Sequence, residues 1–372
     1  MARRPKRPGG RVSQRSGEPP SKPSTKKAET QPTASQKIYE AEVLPGMAPF
    51  ATAELRALGA KLLRKSDDAL LFEHHGSRRE LLSLRRCVAV FVVIGFDLPR
   101  PKALLGHAHL SRLIAAVGDV RREAPAGAYQ GFRFGAAGSD SPAFRRLAEA
   151  LSAASGLPER ADGDLLLRVR PGSRGGWEVL LRLTPRPLSA RDWRVCNRPG
   201  GLNATVAVAA HDMLRTAATD RYLNLMCGSG TLLIERGLAG RWSRGVGVDL
   251  DPEALACAKA NLAGAGLAAR AELLPADATA LPFESASFDR LSADLPWGDA
   301  VGRHRDNSEL YPRFLTESAR VASKGARMVA ITHELRLFEA AVAGQSGWRA
   351  ANTVRVFHGG HRPGLYLLER AG

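Results

Sequence analysis

Residues 222–235 read Tyr-Leu-Asn-Leu-Met-Cys-Gly-Ser-Gly-Thr-Leu-Leu-Ile-Glu, and the rest of the chain is organised around this stretch. The apolar run 222–226 predicts a buried parallel strand, Gly228-Ser-Gly230 predicts a tight turn, and the residues after it predict the start of a helix. A second predicted strand ends at Asp249, 21 residues after Gly228. A glycine turn followed by an acid about 20 residues later is how an open α/β sheet holds a ligand that contains adenosine.

The residues of the turn limit the choice of cofactor. A dinucleotide site requires a third glycine where Leu233 stands, and a phosphate-binding loop requires a Lys after Gly230, where the chain has Thr231. Because both signatures are missing, the pattern favours S-adenosylmethionine, which carries adenosine but no phosphate. The alternative is an ordinary strand-to-helix turn that happens to contain two glycines.

Composition narrows the class of protein and of partner. The chain has 372 residues, 44% of them hydrophobic, which is enough for two or three domains with their own cores. A net charge of +17 indicates a polyanionic partner such as RNA, although basic side chains can also simply solvate a surface. No apolar run is long enough for a membrane span and no signal peptide is visible, so we expect no membrane association.

The four cysteines are Cys87, Cys196, Cys227 and Cys257, and they form no Cys-x-x-Cys pair. This spacing argues against a disulfide scaffold and against a structural zinc site, and it suits a reducing compartment, so we predict a cytoplasmic protein. The run His358-Gly-Gly-His361 has no further Cys or His partner nearby in sequence, and it is interpreted as a turn. We therefore expect no metal ion.

The chain divides into three predicted regions. Residues 1–37 carry ten Lys or Arg, two Glu and six Pro with almost nothing apolar, which predicts a disordered tail of net charge +8. Such a tail fits an electrostatic arm for RNA, a solubilising segment or an organelle transit peptide. Residues 38–188 predict a compact α+β region, and residues 189–372 predict a doubly wound α/β sheet that ends in a closing hairpin, 348–357 with 363–369.

The sequence of the α+β region predicts two successive units, 38–100 and 101–188. The first resembles a ferredoxin-like unit. Together they resemble, in element order and in the pattern Pro45-Gly46 … Glu54-Leu55 … Leu58-Gly59, the ferredoxin-like and THUMP region of tRNA-modifying enzymes. In that family the region grips the acceptor end of tRNA. The resemblance implies that some of its arginines bind RNA phosphates, the candidates being Arg133, Arg145, Arg146, Arg168 and Arg170; the alternative is that they only solvate the surface.

In a doubly wound sheet the ligand lies at the carboxyl ends of the strands. This rule selects 227–230 with Cys227, Gly228 and Gly230, and the strand-end acids Asp249, Asp277 and Asp294. Asp249 is predicted to accept hydrogen bonds from the ribose. Asp277 is predicted to bind the adenine amino group, with a turn cap as the alternative.

The fourth predicted strand ends in Asp294-Leu-Pro-Trp-Gly298. This motif resembles the Asn/Asp-Pro-Pro-aromatic signature of methyltransferases that act on exocyclic amines of bases. The lone pair of such an amine is delocalised into the ring, so the site must accept its N–H groups; the Asp294 carboxylate and the Leu295 carbonyl suit that task. Trp297 offers a flat face for an extruded base, and Pro296 stiffens the turn. The alternative is a strand-end turn with a buried Trp.

The wider sequence resembles the THUMP-containing tRNA guanine-N2 methyltransferases. The resemblance rests on the 294–298 motif, on Asp306-Asn-Ser-Glu-Leu-Tyr-Pro312, on His358-Gly-Gly with Leu365-Tyr-Leu-Leu-Glu, and on a Leu202-Asn-x-Thr run before the glycine strand. It implies transfer of a methyl group from S-adenosylmethionine to guanine N2 in the tRNA acceptor stem. It also implies that Asn203 and Thr205 line the methionine pocket, that residue 224 contacts the cofactor, and that Trp297 and Gly298 contact the base.

The sequence departs from the family pattern at two positions. Asn224 stands where the family usually has Asp, an acid that meets the charged amino group of the cofactor, and Leu295 replaces the first proline of the motif. Three alternatives remain open: the same reaction on 23S ribosomal RNA, adenine methylation in DNA, which favours Asn at position 294, and an RNA-binding protein without activity. A small activating protein partner is a further open possibility.

Overall fold

The computed structural model describes residues 37–173, 175–296 and 304–371, with the backbone alone for 304–306. The predicted disordered tail therefore lies outside the described residues, as do Trp297 and Gly298. From Lys37 onward the chain forms one compact unit that contains two seven-stranded sheets.

The first sheet has the strand order β2-β3-β1-β4-β7-β6-β5, with the β5–β6 pair parallel and the other pairs antiparallel. Its strands are β1 Ile38–Glu42, β2 Lys61–Lys65, β3 Ala69–Glu73, β4 Ala89–Phe96, β5 Phe132–Gly135, β6 Leu165–Pro171 and β7 Trp177–Arg182. Its helices are α1 Ala48–Ala57, α2 Arg78–Leu81, α3 His107–Glu123 and α4 Pro142–Ser155.

The first sheet joins the two successive units that the sequence predicts. Strand β4 pairs with β1 on one edge and with β7 on the other, so both halves share one continuous sheet. The apolar run in β4 identifies a buried strand, but it carries no information about which strands bind its two edges. Helix α2 in the first half is a single turn that ends at Leu81.

The second sheet confirms the predicted doubly wound arrangement. Its order is β10-β9-β8-β11-β12-β14-β13, parallel except for β14, which runs antiparallel to both β12 and β13 as the predicted closing hairpin. The strands are β8 Arg221–Leu225, β9 Arg244–Asp249, β10 Glu272–Pro275, β11 Phe288–Asp294, β12 Ala322–Thr332, β13 Trp348–Arg355 and β14 Gly364–Arg370. The helices are α5 Ala204–Leu214, α6 Thr231–Ala239, α7 Pro252–Gly264, α8 His304–Val321 and α9 Leu335–Ala343.

Helices cover both faces of this sheet, which explains why the central strands β8 and β9 are buried along most of their length and do not alternate between buried and exposed residues. In β12, Val329 and Ile331 pack into the apolar cluster that includes α5 and α6, whereas Met328 and Ala330 pack into the cluster that includes α8 and α9. Among the helices that the structure describes, none is long and apolar enough to cross a membrane.

Buried ion pairs join the first sheet region to the second. Glu235 on α6 is fully buried and accepts hydrogen bonds from Arg85, from Arg191 at 2.8 Å and from the Trp193 indole at 3.3 Å. Arg86 binds Asp212 on α5. A buried carboxylate needs such partners, because an unpaired one would be strongly destabilising.

One disulfide contradicts the expectation drawn from the cysteine spacing. Cys196 and Cys257 are joined although they are 61 residues apart in sequence. The segment before α5 crosses α7, which brings the two Cα atoms to 5.4 Å. Sequence spacing reveals only local pairs, so it could not indicate this contact.

The buried side chain of His211 makes the stability of the protein depend on pH. This side chain on α5 is buried with Nε2 2.8 Å from the Leu232 carbonyl, and burial lowers its pKa from its ordinary value to about 3. The unfolded chain therefore takes up a proton as the pH falls below about 6.5, whereas the folded chain does not until about pH 3. We therefore expect the free energy of unfolding to decrease as the pH falls from about 6.5 towards about 3, by up to about 1.4 kcal/mol per pH unit.

The measurement is urea unfolding of the wild type and of His211→Gln, which keeps a donor for Leu232, at about pH 7 and about pH 5. The variant should lose less stability than the wild type between these two conditions. Equal losses would contradict this account of His211.

Candidate active site

The turn between β8 and α6 forms the floor of the site. Gly228 and Gly230 have φ values of +54° and +82°, in the left-handed region that favours glycine. A Cβ on Gly230 would also lie 3.2 Å from the Ala258 Cβ. Met226, just before the turn, has a φ of +49°, a strained conformation for a residue with a side chain and one that clusters at functional sites.

Asp249 ends the neighbouring strand β9 and holds this turn. Its Oδ2 accepts the Gly228 N–H at 2.8 Å, and its Oδ1 accepts the Asp251 N–H at 3.0 Å. A carboxylate has about four lone-pair positions, so each oxygen can accept a further hydrogen bond. The side chain is thus both fixed in place and able to bind a ligand.

A cavity of about 440 Å³ joins the glycine turn to the motif at the end of β11. Its volume lies within the range for small-molecule sites. The residues that matter for the chemistry are on its wall: Cys227, Gly228, Asp249, Asp277, Asp294, Leu295 and Pro296.

The motif is anchored where β11 ends. Asp294 pairs with Ile331 of β12, and the Leu295 N–H donates to the Ile331 carbonyl at 2.9 Å. Asp294 thus lies at the same edge of the sheet as Asp249, as the strand-end rule predicts. Trp297 and Gly298 lie outside the described residues and remain predictions.

Cys227 lies on the cavity wall but is unsuited to be a nucleophile. Burial raises the pKa of its thiol far above the ordinary value, and the charge of Asp249 raises it further. A thiol that keeps its proton is a poor nucleophile. The chemistry of this cavity therefore depends on carboxylates and backbone groups.

The predicted cofactor residues divide into two groups. Asp277 is on the cavity wall, and its Oδ1 also accepts the N–H and hydroxyl of Thr279, both at 2.8 Å, so its turn-capping role is present as well. Gly230 lies in the turn but is not among the described residues that line the cavity, and neither are Asn203, Thr205 and Asn224.

Local hydrogen bonds account for these three positions. Asn203 caps α5, since its Oδ1 accepts the Thr205 N–H at 2.9 Å and the Thr205 hydroxyl at 2.8 Å. Asn224 is buried within the sheet, where its Nδ2 lies 3.3 Å from the carbonyls of Leu225 and Ser292. Their predicted contacts with the cofactor stay predictions.

Two of the predicted RNA-binding arginines, Arg133 and Arg168, are already engaged within the protein. Arg133 on β5 donates to the Gly163 carbonyl. Arg168 on β6 pairs with Glu42 at 2.9 Å and lies over the Phe91 ring, 4.5 Å from its centroid. Its side chain is still 37% exposed, so it can meet a phosphate only by sharing or exchanging this carboxylate.

The segment 195–202, which we call the strap, lies before α5 and also forms part of the site. The sequence analysis did not identify it. Residues 198–202 line the cavity, and Arg198 pairs with Asp251 on the opposite wall at 2.5 Å. Asn261 on α7 is fully buried and holds the strap: its Oδ1 accepts the N–H groups of Val195 and Cys196, and its Nδ2 donates to the carbonyls of Cys196 and Ser229 at 3.0 Å.

We expect Asn261→Ala to lower the free energy of unfolding by about 2–3 kcal/mol, because it removes four hydrogen bonds and leaves partly buried backbone groups without these partners. Ligand affinity should fall too, since the amide links the strap to the glycine turn. Chemical unfolding beside Asn352→Ala, an exposed asparagine on β13, measures the first effect. If both variants lose the same stability, Asn261 has no such role.

The cavity fits S-adenosylmethionine. The carboxylate of Asp249 can accept ribose hydroxyls, and Asp277 can accept the adenine amino group. A Cβ on Gly228 would meet no atom within 4 Å, so the backbone there is open to close approach by a ligand. These residues would hold the adenosine half of the molecule and direct the remainder towards Asp294.

Comparisons with known proteins agree with this geometry. The family model of the UPF0020, RMKL-like methyltransferase domain matches residues 191–364. A tRNA (guanine(6)-N2)-methyltransferase of Thermus thermophilus is 32% identical over 228 residues, which are 61% of this chain and 67% of that protein. The mouse tRNA (guanine(6)-N(2))-methyltransferase THUMP3 is 31% identical over 187 residues, but the chain spans only 37% of its length.

A solved structure extends the comparison to the first sheet. TrmN from Thermus thermophilus matches with a TM-score of 0.72 and 25% sequence identity, over 90% of this chain and 99% of TrmN. The likeness therefore includes both sheets and not only the methyltransferase domain. The chain belongs to the family of UPF0020 methyltransferase-domain proteins that includes these tRNA (guanine-N2)-methyltransferases, as the resemblance in its sequence predicts.

Proposed function

We propose that this chain transfers a methyl group from S-adenosylmethionine to the exocyclic N2 of a guanine in tRNA. The single observation that carries the proposal is the cavity that Asp249 and the glycine turn share with Asp294. One end has the groups that hold adenosine, and the other has a carboxylate suited to an amine.

When bound, S-adenosylmethionine supplies a methyl group activated by its sulfonium charge. Asp294 accepts an N–H of the guanine amine, which orients the nitrogen lone pair towards that methyl group. Held by Asp249 and Asp277, the cofactor would supply that methyl group to the nitrogen and would leave as the neutral thioether S-adenosylhomocysteine. The nitrogen becomes positively charged, and the Asp294 carboxylate stabilises this charge and receives the proton that leaves. Orientation and local electrostatics thus supply most of the catalysis.

The named relatives support tRNA as the substrate, and their names specify guanine 6. We therefore propose guanine 6, which refines the predicted acceptor-stem position. Basic charge supports an RNA partner, because the chain without residues 1–37 still carries +9, which is +17 less +8. A cytoplasmic location stays a proposal that the Cys196–Cys257 disulfide does not favour. Ribosomal RNA and an activating protein partner remain alternatives.

The test supplies radiolabelled S-adenosylmethionine with total tRNA, with ribosomal RNA, and with a tRNA transcript in which guanine 6 is replaced. We expect label in tRNA, N2-methylguanosine by mass spectrometry of the digest, and no label in the replaced transcript. Label in ribosomal RNA alone, or in a base other than guanine, would contradict the proposal.

A further inference from the structure

Two side chains on α8 bind the same backbone carbonyl of the 294–298 motif. Asn307 Nδ2 and the Tyr311 hydroxyl each donate to the Pro296 oxygen at 3.2 Å. They are four residues apart and therefore lie on one face of the helix. Both are buried, with 1% of Asn307 and none of Tyr311 exposed.

The direction of this carbonyl is linked to the backbone conformation of Pro296. The ring of Pro296 fixes φ, so ψ is the soft dihedral that remains at this residue. The direction of the carbonyl reports ψ, and because the peptide group is planar it also sets the direction in which the chain continues to residue 297. Two hydrogen bonds to one oxygen therefore fix ψ of Pro296.

A chain of hydrogen bonds orients the Tyr311 hydroxyl for this role. The Glu334 N–H donates to Thr332 Oγ1 at 3.0 Å, and Thr332 Oγ1 lies 3.0 Å from the Tyr311 hydroxyl. The Thr332 proton is then available to Tyr311, whose own proton is directed to Pro296. Burial raises the pKa of Tyr311 to about 12, and the charges of Glu334 and Asp294 add to this, so the hydroxyl remains a donor.

We infer that Asn307 and Tyr311 form a clamp that sets the geometry of the catalytic motif from outside the cavity. Among the described residues that line the cavity, neither of the two occurs, so they are positioning residues rather than catalytic ones. The clamp turns the Pro296 carbonyl towards α8. Its catalytic consequence rests on the proposed function: Asp294 and the Leu295 carbonyl are left to bind the amine.

The kinetic test uses Tyr311→Phe and Asn307→Leu, which remove the donors with little change of shape. Each variant should lower kcat about 10- to 100-fold, because a small misplacement of reacting groups is enough for such a loss. The Kd for S-adenosylmethionine and the KM for tRNA should stay near the wild-type values. A merely structural role would not separate kcat from binding in this way.

Tyr366→Phe is the matched control. Its hydroxyl donates to Glu339 at 2.8 Å, and its ring packs against Phe338, as that of Tyr311 does. We expect Tyr311→Phe and Tyr366→Phe to have similar melting temperatures, but only the first to lose kcat. Equal effects of both on kcat, or an unchanged kcat in Tyr311→Phe, would overturn the inference.

A crystal structure of the Asn307→Leu/Tyr311→Phe double variant gives a readout that needs no activity. A Pro296 carbonyl rotated from its wild-type direction supports the clamp, and one that keeps its direction overturns it. If the wild type fails to methylate guanine N2, the proposed function fails, but the carbonyl still decides the inference. The two failures are thus distinguishable.

Discussion

Replacing Asp294 by Ala is expected to lower kcat for methyl transfer about 10³-fold. The carboxylate is the acidic group that the structure places at the β11 end of the cavity. Without it, the amine is not oriented, the positive charge that develops on nitrogen is not compensated, and its proton has no acceptor. Removal of one acid–base or electrostatic group of this kind costs on the order of 10²–10⁴ in rate. The measurement is single-turnover methyl transfer to tRNA at saturating S-adenosylmethionine.

Asp289→Ala is the matched control for this experiment. Asp289 lies on the same strand near its opposite end, where it binds Arg221 at 2.9 Å and accepts the Ser323 hydroxyl at 2.7 Å. The pair with Arg221 holds the pKa of Asp289 well below its usual range, so this control should lose stability but keep kcat. Equal kcat in Asp294→Ala and wild type would remove Asp294 from the mechanism.

Replacing Asp249 by Ala is expected to weaken S-adenosylmethionine binding about 10- to 100-fold, which corresponds to about 1.5–3 kcal/mol for hydrogen bonds to a charged group. Two effects add: the ribose loses its acceptor, and the Gly228 N–H loses the partner that holds the turn. Isothermal titration calorimetry measures the Kd.

The kinetics of Asp249→Ala distinguish binding from chemistry. KM for S-adenosylmethionine should rise, whereas kcat at saturation should fall much less, since Asp249 is not at the reacting atoms. Asp289→Ala should bind the cofactor as the wild type does. An unchanged Kd in Asp249→Ala would show that adenosine does not bind at the end of β9.

The centre of the second sheet was predictable because β8 and β9 are short runs rich in apolar residues that lie next to turn residues, and β11 ends in a recognisable motif. Strands β8, β9 and β11 end within one residue of their predicted ends. A parallel sheet brings its carboxyl ends to one edge, so Gly228, Asp249 and Asp294 could be placed together from the sequence. Local patterns and one topological rule were sufficient for the centre of the site.

The remaining features depend on contacts between distant residues. Asn261 binds the strap across 65 and 66 positions, and nothing near it in sequence distinguishes it from a helix-surface asparagine. The Cys196–Cys257 disulfide and the two edge partners of β4 are of the same kind. Asn224 is a different case: a motif position suggests a cofactor contact, its side chain lies within the sheet next to Ser292, and the contact stays a prediction.

The central claim is that one cavity holds the cofactor at Asp249 and presents its reactive end to Asp294. A crystal structure with S-adenosylhomocysteine tests it most directly. The account predicts ribose hydroxyls within hydrogen-bond distance of the Asp249 carboxylate and the sulfur at the Asp294 end of the cavity, with room between sulfur and carboxylate for a purine amine. A ligand bound elsewhere, or one whose sulfur points away from Asp294, would contradict it.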